Sequence, residues 1–559
     1  MLSIGINEGI NGSVVVARDG EILFALQEER LNRSKESAGF PAQALVRALK
    51  SLDLAPDQVD EVLLCGTRPP RPFVLRDFDR AADIPAPWLY GFLTGLKPVP
   101  PDTHRKNLAD AGLARAAVHR LEHHACLADA AYFGRRADPD KPHLVLTADH
   151  GGDGLCAAVH LAENGKLKRL AVTPAGHSPS DLYSSVTHFM GLRPLEHEYK
   201  LMGLAAYADT AHSQPLADLF HSLLGLDPAN PLRFRRTTPE PTALLGRRLQ
   251  RSLRRPRFDA LAGGLQSFTE TLMLDWVRAA VRATGVQRAV AAGSLFMNVK
   301  ANKRIAEEGG LDFFDVFPSC GPESLPFGAV WRRHADVSAD HGRILALRQF
   351  CLGPDAACDL EEARHEFAGQ VIWRTLADPD RAAAELLAQG HVVARCSGRM
   401  EFGARALGNR SILADPGHYP VVPLINKMIK QRDFWMPFAP AMLAEDAADY
   451  IRIPTCLPAD VSPFMMHSFE TTERRTDFAA GVHAYDNSAR AQIVNADNQP
   501  GLHRVLEHFR RLTDKGVLLN TSFNLHGLPL VRGARDAVWV LLNSGLTHLI
   551  VDDQLVTKA

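Results

Sequence analysis

Leu144-Val145-Leu146-Thr147-Ala148-Asp149-His150-Gly151-Gly152-Asp153-Gly154-Leu155 is the stretch that decides the architecture of this chain. An apolar run of strand length stops at a turn of glycines and aspartates, and a second run, Leu155–Leu161, leaves it. Asn164-Gly165 then turns the chain into Leu167–Val172. Asn-Gly and Asp-Gly between apolar runs predict hairpins, because both central positions of such a turn take positive φ.

The same grammar stands at the N-terminus. A short strand from Leu2 meets the glycine turn Gly9-Ile10-Asn11-Gly12-Ser13, then the β-branched strand Val14–Val16, an Asp19-Gly20 turn and a strand Ile22–Leu26. We read this as an internal duplication, and two such halves around a nucleotide-sized cleft predict an α/β fold of the duplicated actin/sugar-kinase (ASKHA) type.

The rest of the chain is bounded by simple arithmetic. At 559 residues it exceeds one ordinary core and predicts at least two domains. Lys+Arg is 63 against Asp+Glu 64, a net charge of −1, so no global basic field exists to hold nucleic acid or an anionic membrane. An apolar content of 46% excludes disorder. Eight scattered cysteines without a CxxC pair exclude a zinc ribbon or disulfide scaffold. Met1 leads straight into a strand with no signal-peptide pattern, and no run of about 18 apolar residues follows, so the expected location is the cytoplasm.

Between the two repeats, Pro69 to Pro101 reads as extended loop carrying Trp88, Tyr90 and Phe92. Residues 233–257 hold nine arginines opposed only by Glu240 until Asp259. That segment reads either as a solvated insertion or as a clamp for an anionic acceptor or tRNA. A strand Ala289–Ala292, the turn Gly293-Ser294, a helix about Val299–Glu308 and a strand Phe313–Phe317 follow. A change of domain is expected near 350–365, giving domains 1–350 and 351–559, the second also α/β.

The C-terminal part holds Gly398-Arg399-Met400-Glu401-Phe402-Gly403-Ala404-Arg405-Ala406-Leu407-Gly408-Asn409-Arg410 and then Asn426-Lys427-Met428-Ile429-Lys430-Gln431-Arg432. Arg399, Arg405, Arg410, Lys430 and Arg432 on a glycine-rich frame suit a polyphosphate, whose oxygens accept paired N–H donors. Leu519-Asn520-Thr521-Ser522-Phe523-Asn524, a polar turn after an apolar strand, offers donors for a nucleotide or a carbonyl group.

These segments, with Trp435-Met436-Pro437-Phe438-Ala439-Pro440 and His483 to Arg490, resemble the C-terminal domain of the NodU/CmcH family of O-carbamoyltransferases. Glu28-Glu29-Arg30, Glu198-Tyr199-Lys200-Leu201-Met202-Gly203 and Asn298-Val299-Lys300-Ala301-Asn302 resemble motifs of its N-terminal part, in order. The resemblance implies a YrdC-like domain over 351–559 that makes carbamoyl-adenylate from carbamoyl phosphate and ATP, with Mg²⁺ accompanying the nucleotide. It also implies a TsaD-like ASKHA domain over 1–350 that passes the carbamoyl group to a small-molecule hydroxyl or amine, as in natural-product biosynthesis. By the same resemblance Arg399, Arg405, Arg410, Lys427, Lys430, Arg432, Arg490, Asn520, Ser522 and Asn524 bind the nucleotide and carbamoyl phosphate. His123, Lys430 and Arg432 are the catalytic candidates, and His123 and Asp149 the metal ligands, for Fe²⁺ or another divalent ion.

The sequence departs from the family where the metal is expected. Ile10-Asn11 stands where the family carries His-Asp, Leu127 where it carries its second metal histidine, and Pro322 where it carries a late aspartate. Glu323 and His124 are the available substitutes. The departures motivate an alternative: a half-active or non-catalytic homologue that binds nucleotide and a partner protein.

Overall fold

The computed structural model describes residues 1–67, 103–136, 138–253, 255–338, 347–417, 419–430, 433 and 435–559. The expected loop Pro69–Pro101 lies outside these residues, as do Arg254 and Arg432. The chain separates into two compact units. The first comprises Met1–Leu23, Glu36–Ala346 and Pro454–Pro458; the second comprises Phe24–Lys35, Leu347–Ile453 and Ala459–Ala559.

The first unit contains the repeat. Strands β1 (Leu2–Asn7), β2 (Ser13–Arg18), β3 (Glu21–Gln27), β4 (Glu61–Cys65) and β5 (Ala117–Leu121) form a sheet in the order β3-β2-β1-β4-β5. Strands β6 (His143–Gly152), β7 (Leu155–Glu163), β8 (Lys166–Pro174), β11 (Arg288–Ala292) and β12 (Phe313–Val316) form another in the order β12-β11-β6-β7-β8, with the small ribbon of β9 (Leu224–Asp227) and β10 (Asn230–Arg236) apart from both. Each begins with a strand that pairs antiparallel with its successor and parallel with a later strand: β1 with β2 and β4, β6 with β7 and β11. The two sheets therefore repeat one topology, the duplicated α/β architecture that the glycine turns predict.

Local chemistry sets the hairpins. Asp19/Gly20, Asp153/Gly154 and Asn164/Gly165 all take positive φ at both positions, the backbone that matches the twist of the flanking strands. The core between the sheets is made by two helices, His123–Arg135 and Leu325–Val337, which cross closely. At the crossing Gly328 has no room for a side chain, since a Cβ there would lie 1.8 Å from the Cys126 carbonyl oxygen.

In the second unit an eight-stranded mixed sheet runs β14-β25-β24-β15-β17-β23-β18-β22. Its strands are β14 (Val371–Thr375), β15 (Val393–Cys396), β17 (Arg410–Ala414), β18 (Ala439–Leu443), β22 (Gln492–Val494), β23 (Val517–Ser522), β24 (His548–Val551) and β25 (Gln554–Lys558). β13 (Cys351–Asp355) pairs with β16 (Arg399–Glu401), and β19 (Ile451–Arg452), β20 (Phe469–Thr471) and β21 (Ser488–Ala489) form a small sheet. Alternation along the strands sends Val393, Leu413 and Leu518 to one face, under helices Pro379–Ala388 and Pro500–Thr513. Ala394, Ile412 and Leu519 go to the other, under helix Ala534–Leu542. All eight cysteines are free thiols, and no described helix is long and apolar enough to cross a membrane.

Candidate functional site

In the first unit the sequence-predicted His123 and Asp149 meet. His123 opens its helix and Asp149 begins the glycine turn that extends β6, and His123 Nε2 lies 3.0 Å from Asp149 Oδ2. Gly152 makes the contact possible: a Cβ there would stand 2.1 Å from His123 Cγ. Asp149 Oδ1 accepts from Ser294 Oγ at 2.5 Å and from His150 N at 2.8 Å. Ser294 belongs to the Gly293 turn after β11, where φ is 108° and a Cβ would lie 2.0 Å from the Ala148 carbonyl oxygen. Burial opposes the Asp149 charge, but the bonds from His123 and Ser294 and the nearby imidazoles outweigh it and hold the carboxyl well below its usual range.

The neighbouring histidines have partners too. His150 Nδ1 lies 3.1 Å from Asp181 Oδ1. Burial disfavours the His150 cation, but the Asp181 carboxylate overrides it and pushes its pKa up to about 9. His124 is buried against Thr147 Oγ1 at 2.9 Å, and burial, helped by His123, drives its pKa down to about 3.

Tested against a divalent ion, these residues do not fit. The position one helical turn beyond His123 is the fully buried Leu127. Pro322 lies in a short 3₁₀ turn, and the adjacent Glu323 folds back to accept from Ser319 Oγ and, at 3.5 Å, from Asn11 Nδ2. Among the described residues no group of three or more His, Cys, Asp or Glu side chains is arranged to hold a metal. Two donors fall short of the three or four that transition-metal sites take from protein. Of the proposed substitutes, Glu323 is thus engaged elsewhere, and His124 is held through Nδ1 by Thr147 while its Nε2 is buried without a hydrogen-bond partner among the described residues.

In the second unit the predicted Lys430, Ser522 and Asn524 converge. Lys430 ends a helical segment, Asn426–Lys430, and is 3% exposed. Its ammonium donates to the Ser522 carbonyl, to Ser522 Oγ at 2.9 Å and to Asn524 Oδ1 at 2.8 Å, at the end of β23. Lys427, in the same segment, is exposed. Asn520, two residues before Ser522 on the same strand face, donates to Gln492 Oε1 at 2.8 Å and to the Ala406 carbonyl at 3.2 Å.

Arg410 has a different role from the one its motif suggests. It is fully buried, and its guanidinium donates to the carbonyls of Pro354, Ser397, Gly398, Asn409 and Arg532 at 3.0–3.2 Å. It is the post on which the glycine-rich loop is built, and its donors are spent on backbone. Arg399 donates to the Leu352 and Gly353 carbonyls. Arg405, in the loop, and Arg490, just after β21, are half-buried.

The residue that sequence reasoning passes over is Glu401. Its Oε1 accepts the backbone N–H groups of Leu407, Asn409 and Arg410 at 2.8–2.9 Å and so folds the 401–410 loop around one oxygen. An acid among so many arginines was the available signal. The Glu28-Glu29-Arg30 motif serves the same loop: Arg30 Nη2 donates to the Gly403 carbonyl at 2.6 Å, and Gly403 N to Gln27 Oε1 at 3.0 Å. In the arginine-rich segment, Arg235 pairs with Asp227, Arg248 with Glu240 and Arg257 with Asp259.

Comparison with known proteins matches both units. The family model for the carbamoyltransferase N-terminus matches residues 105–330, and that for the carbamoyltransferase C-terminus residues 384–558. Nodulation protein NolNO of Sinorhizobium fredii is 28% identical over 98% of this chain and 79% of its own length. Nodulation protein NolO of Bradyrhizobium diazoefficiens is 30% identical over 74% of this chain and 75% of its own. A 3'-hydroxymethylcephem-O-carbamoyltransferase of Amycolatopsis lactamdurans is 34% identical over 31% of this chain and 32% of its own. With its two glycine turns in the first unit and Lys430 meeting Ser522 and Asn524 in the second, the chain belongs to the carbamoyltransferases of the NodU/CmcH family and is a transferase enzyme.

Proposed function

We propose that this enzyme activates carbamoyl phosphate with ATP and transfers the carbamoyl group to a hydroxyl or amine of a small molecule. Phosphate leaves carbamoyl phosphate as water cleaves its P–O bond. The carbamate oxygen attacks the α-phosphorus of ATP and expels pyrophosphate, leaving carbamoyl-adenylate. The acceptor's oxygen or nitrogen then attacks the carbamoyl carbon and gives up its proton to solvent, and AMP departs with the C–O bond electrons. Activation belongs to residues 351–559 and transfer to residues 1–350, with Mg²⁺ bound to the nucleotide.

The observation that supports this best is Lys430, a buried ammonium whose contacts at the end of β23 are the neutral oxygens of Ser522 and Asn524. Phosphate oxygens can exchange for these neutral acceptors and gain a charge-assisted bond. Ser522 Oγ is placed beside the ammonium to orient the transferred group. Arg432, two positions further along the sequence and outside the described residues, is the second cation of this reading. Relatives named O-carbamoyltransferases make a hydroxyl the favoured acceptor. An anionic acceptor would engage Arg247 and Arg251, exposed on the arginine-rich segment.

The test is nucleotide turnover without acceptor. Carbamoyl phosphate and ATP should give AMP and pyrophosphate, and Lys430→Ala should lower that rate by about a hundredfold or more, as loss of a transition-state charge contact does. No AMP or pyrophosphate with carbamoyl phosphate would refute the reading. Turnover with another acid in its place would redirect it to a different adenylating activity. Reversing Arg247 and Arg251 to Glu with no change in acceptor KM would remove the anionic-acceptor clause.

A further inference from the structure

In the first unit the two side chains expected as metal ligands, His123 and Asp149, are bonded to each other. Asp149 uses Oδ2 on His123 and Oδ1 on Ser294 and His150 N. Its backbone carbonyl accepts from Ser178 Oγ at 3.2 Å. The backbone N–H of His123 donates at 2.8 Å to Asp153 Oδ2, and Asp153 in turn accepts from Thr67 N at 3.0 Å. Three chain segments far apart in sequence, the start of the helix His123–Arg135, the turn after β6 and the turn after β11, are therefore tied through one carboxylate. Tying such segments together is the structural work a bound divalent ion would do.

From this knot, together with Leu127 and Pro322 at positions that can supply no donor, we infer that the transfer unit carries no divalent-metal centre and that the His123–Asp149–Ser294 hydrogen bonds hold its glycine turns in place of one. The chemistry favours the knot over an ion here. With two protein donors an ion would keep most of its coordination as water, and binding it between them would require breaking the His123 bond to a buried carboxylate. The inference stands apart from the adenylation reading, because it concerns metal content and stability and needs no turnover to be tested.

The experiment uses the full chain, expressed in medium supplemented with Fe²⁺ and Mn²⁺ and purified without chelator. Elemental analysis should find well under 0.1 equivalent of transition metal per chain, and EDTA should leave the thermal midpoint unmoved. Ser294→Ala should lower that midpoint by about 1–2 °C, the shift expected when one hydrogen bond is lost from a unit of this size. A further variant, Leu127→His with Pro322→Asp, should acquire Mn²⁺ binding detectable by electron paramagnetic resonance. One equivalent of metal retained by the unaltered chain, lost in Asp149→Asn, overturns the inference. So does a midpoint that falls in EDTA and recovers with Mn²⁺, even where the variants fail to fold.

Discussion

Arg30 Nη2 donates to the carbonyl oxygen of Gly403 across 2.6 Å of space and 373 residues of chain. The same guanidinium pairs with Glu29 at 2.9 Å, and both side chains are buried. An early motif thus braces a late loop. Arg30→Met should destabilise the protein by about 3 kcal/mol, since it removes a carbonyl's partner and an ion pair together in a buried setting. A urea midpoint unchanged by the substitution would contradict this.

Glu401 makes a sharper case, because a single oxygen serves three backbone donors. Glu401→Ala strands those N–H groups and should cost about 3 kcal/mol or more. Glu401→Gln, which keeps an acceptor oxygen, should cost less than half as much. Equal losses in equilibrium unfolding would show that the loop does not depend on this carboxylate.

Two glycines separate conformational need from steric need. Gly293 has φ 108° and no space, with Ala148 O at 2.0 Å from a built Cβ, whereas Gly310 has φ 69° and nothing within 4 Å. Gly310→Ala should cost about 1–2 kcal/mol, the left-handed penalty alone. Gly293→Ala must in addition push apart β6 and the Ser294 turn, and should cost at least twice that and weaken the Asp149–Ser294 bond. Thermal melts of the two variants compare them directly.

Acid should weaken the first unit through three buried histidines, His124, His143 and His160. Burial, outweighing the other influences, draws His143 down to about 4 and His160 to about 3, and His160 Nε2 accepts from Arg169 Nε at 3.1 Å. Their unfolded-state pKa is about 6.5. Below that value the unfolded chain takes up protons that the folded chain refuses, so stability is full above pH about 6.5 and falls as pH drops toward 4. Each histidine steepens the fall by up to about 1.4 kcal/mol per pH unit. His160→Gln, which keeps an acceptor for Arg169, should flatten the dependence of the urea midpoint between pH 6.5 and 4.5; an unchanged slope would count against it.

The repeated sheets, their hairpins, the helix Val299–Glu308 and the meeting of Lys430 with Ser522 and Asn524 as one neighbourhood were open to sequence reading, for reasons that are mostly local. Asp-Gly and Asn-Gly turns carry their own conformational demand, strand and helix periods span a few residues, and a cluster of cations on glycines marks itself. Arg410 and Glu401 show where that reading stops. Both stand in the same motif as the phosphate-binding candidates, yet Arg410 is consumed by carbonyls as distant as those of Pro354 and Arg532, and Glu401 by the loop it folds.

What the amino-acid order determined by itself was the family, the two glycine-turn halves and the presence of a leucine at position 127 and a proline at 322, because identity and short-range geometry are written into neighbouring residues. Only the tertiary structure decided which charges are scaffold and which stand at a site, and that His123 and Asp149 close on each other and on Ser294. A buried polar group is defined by the partners that replace its water, and those partners arrive from segments hundreds of residues away.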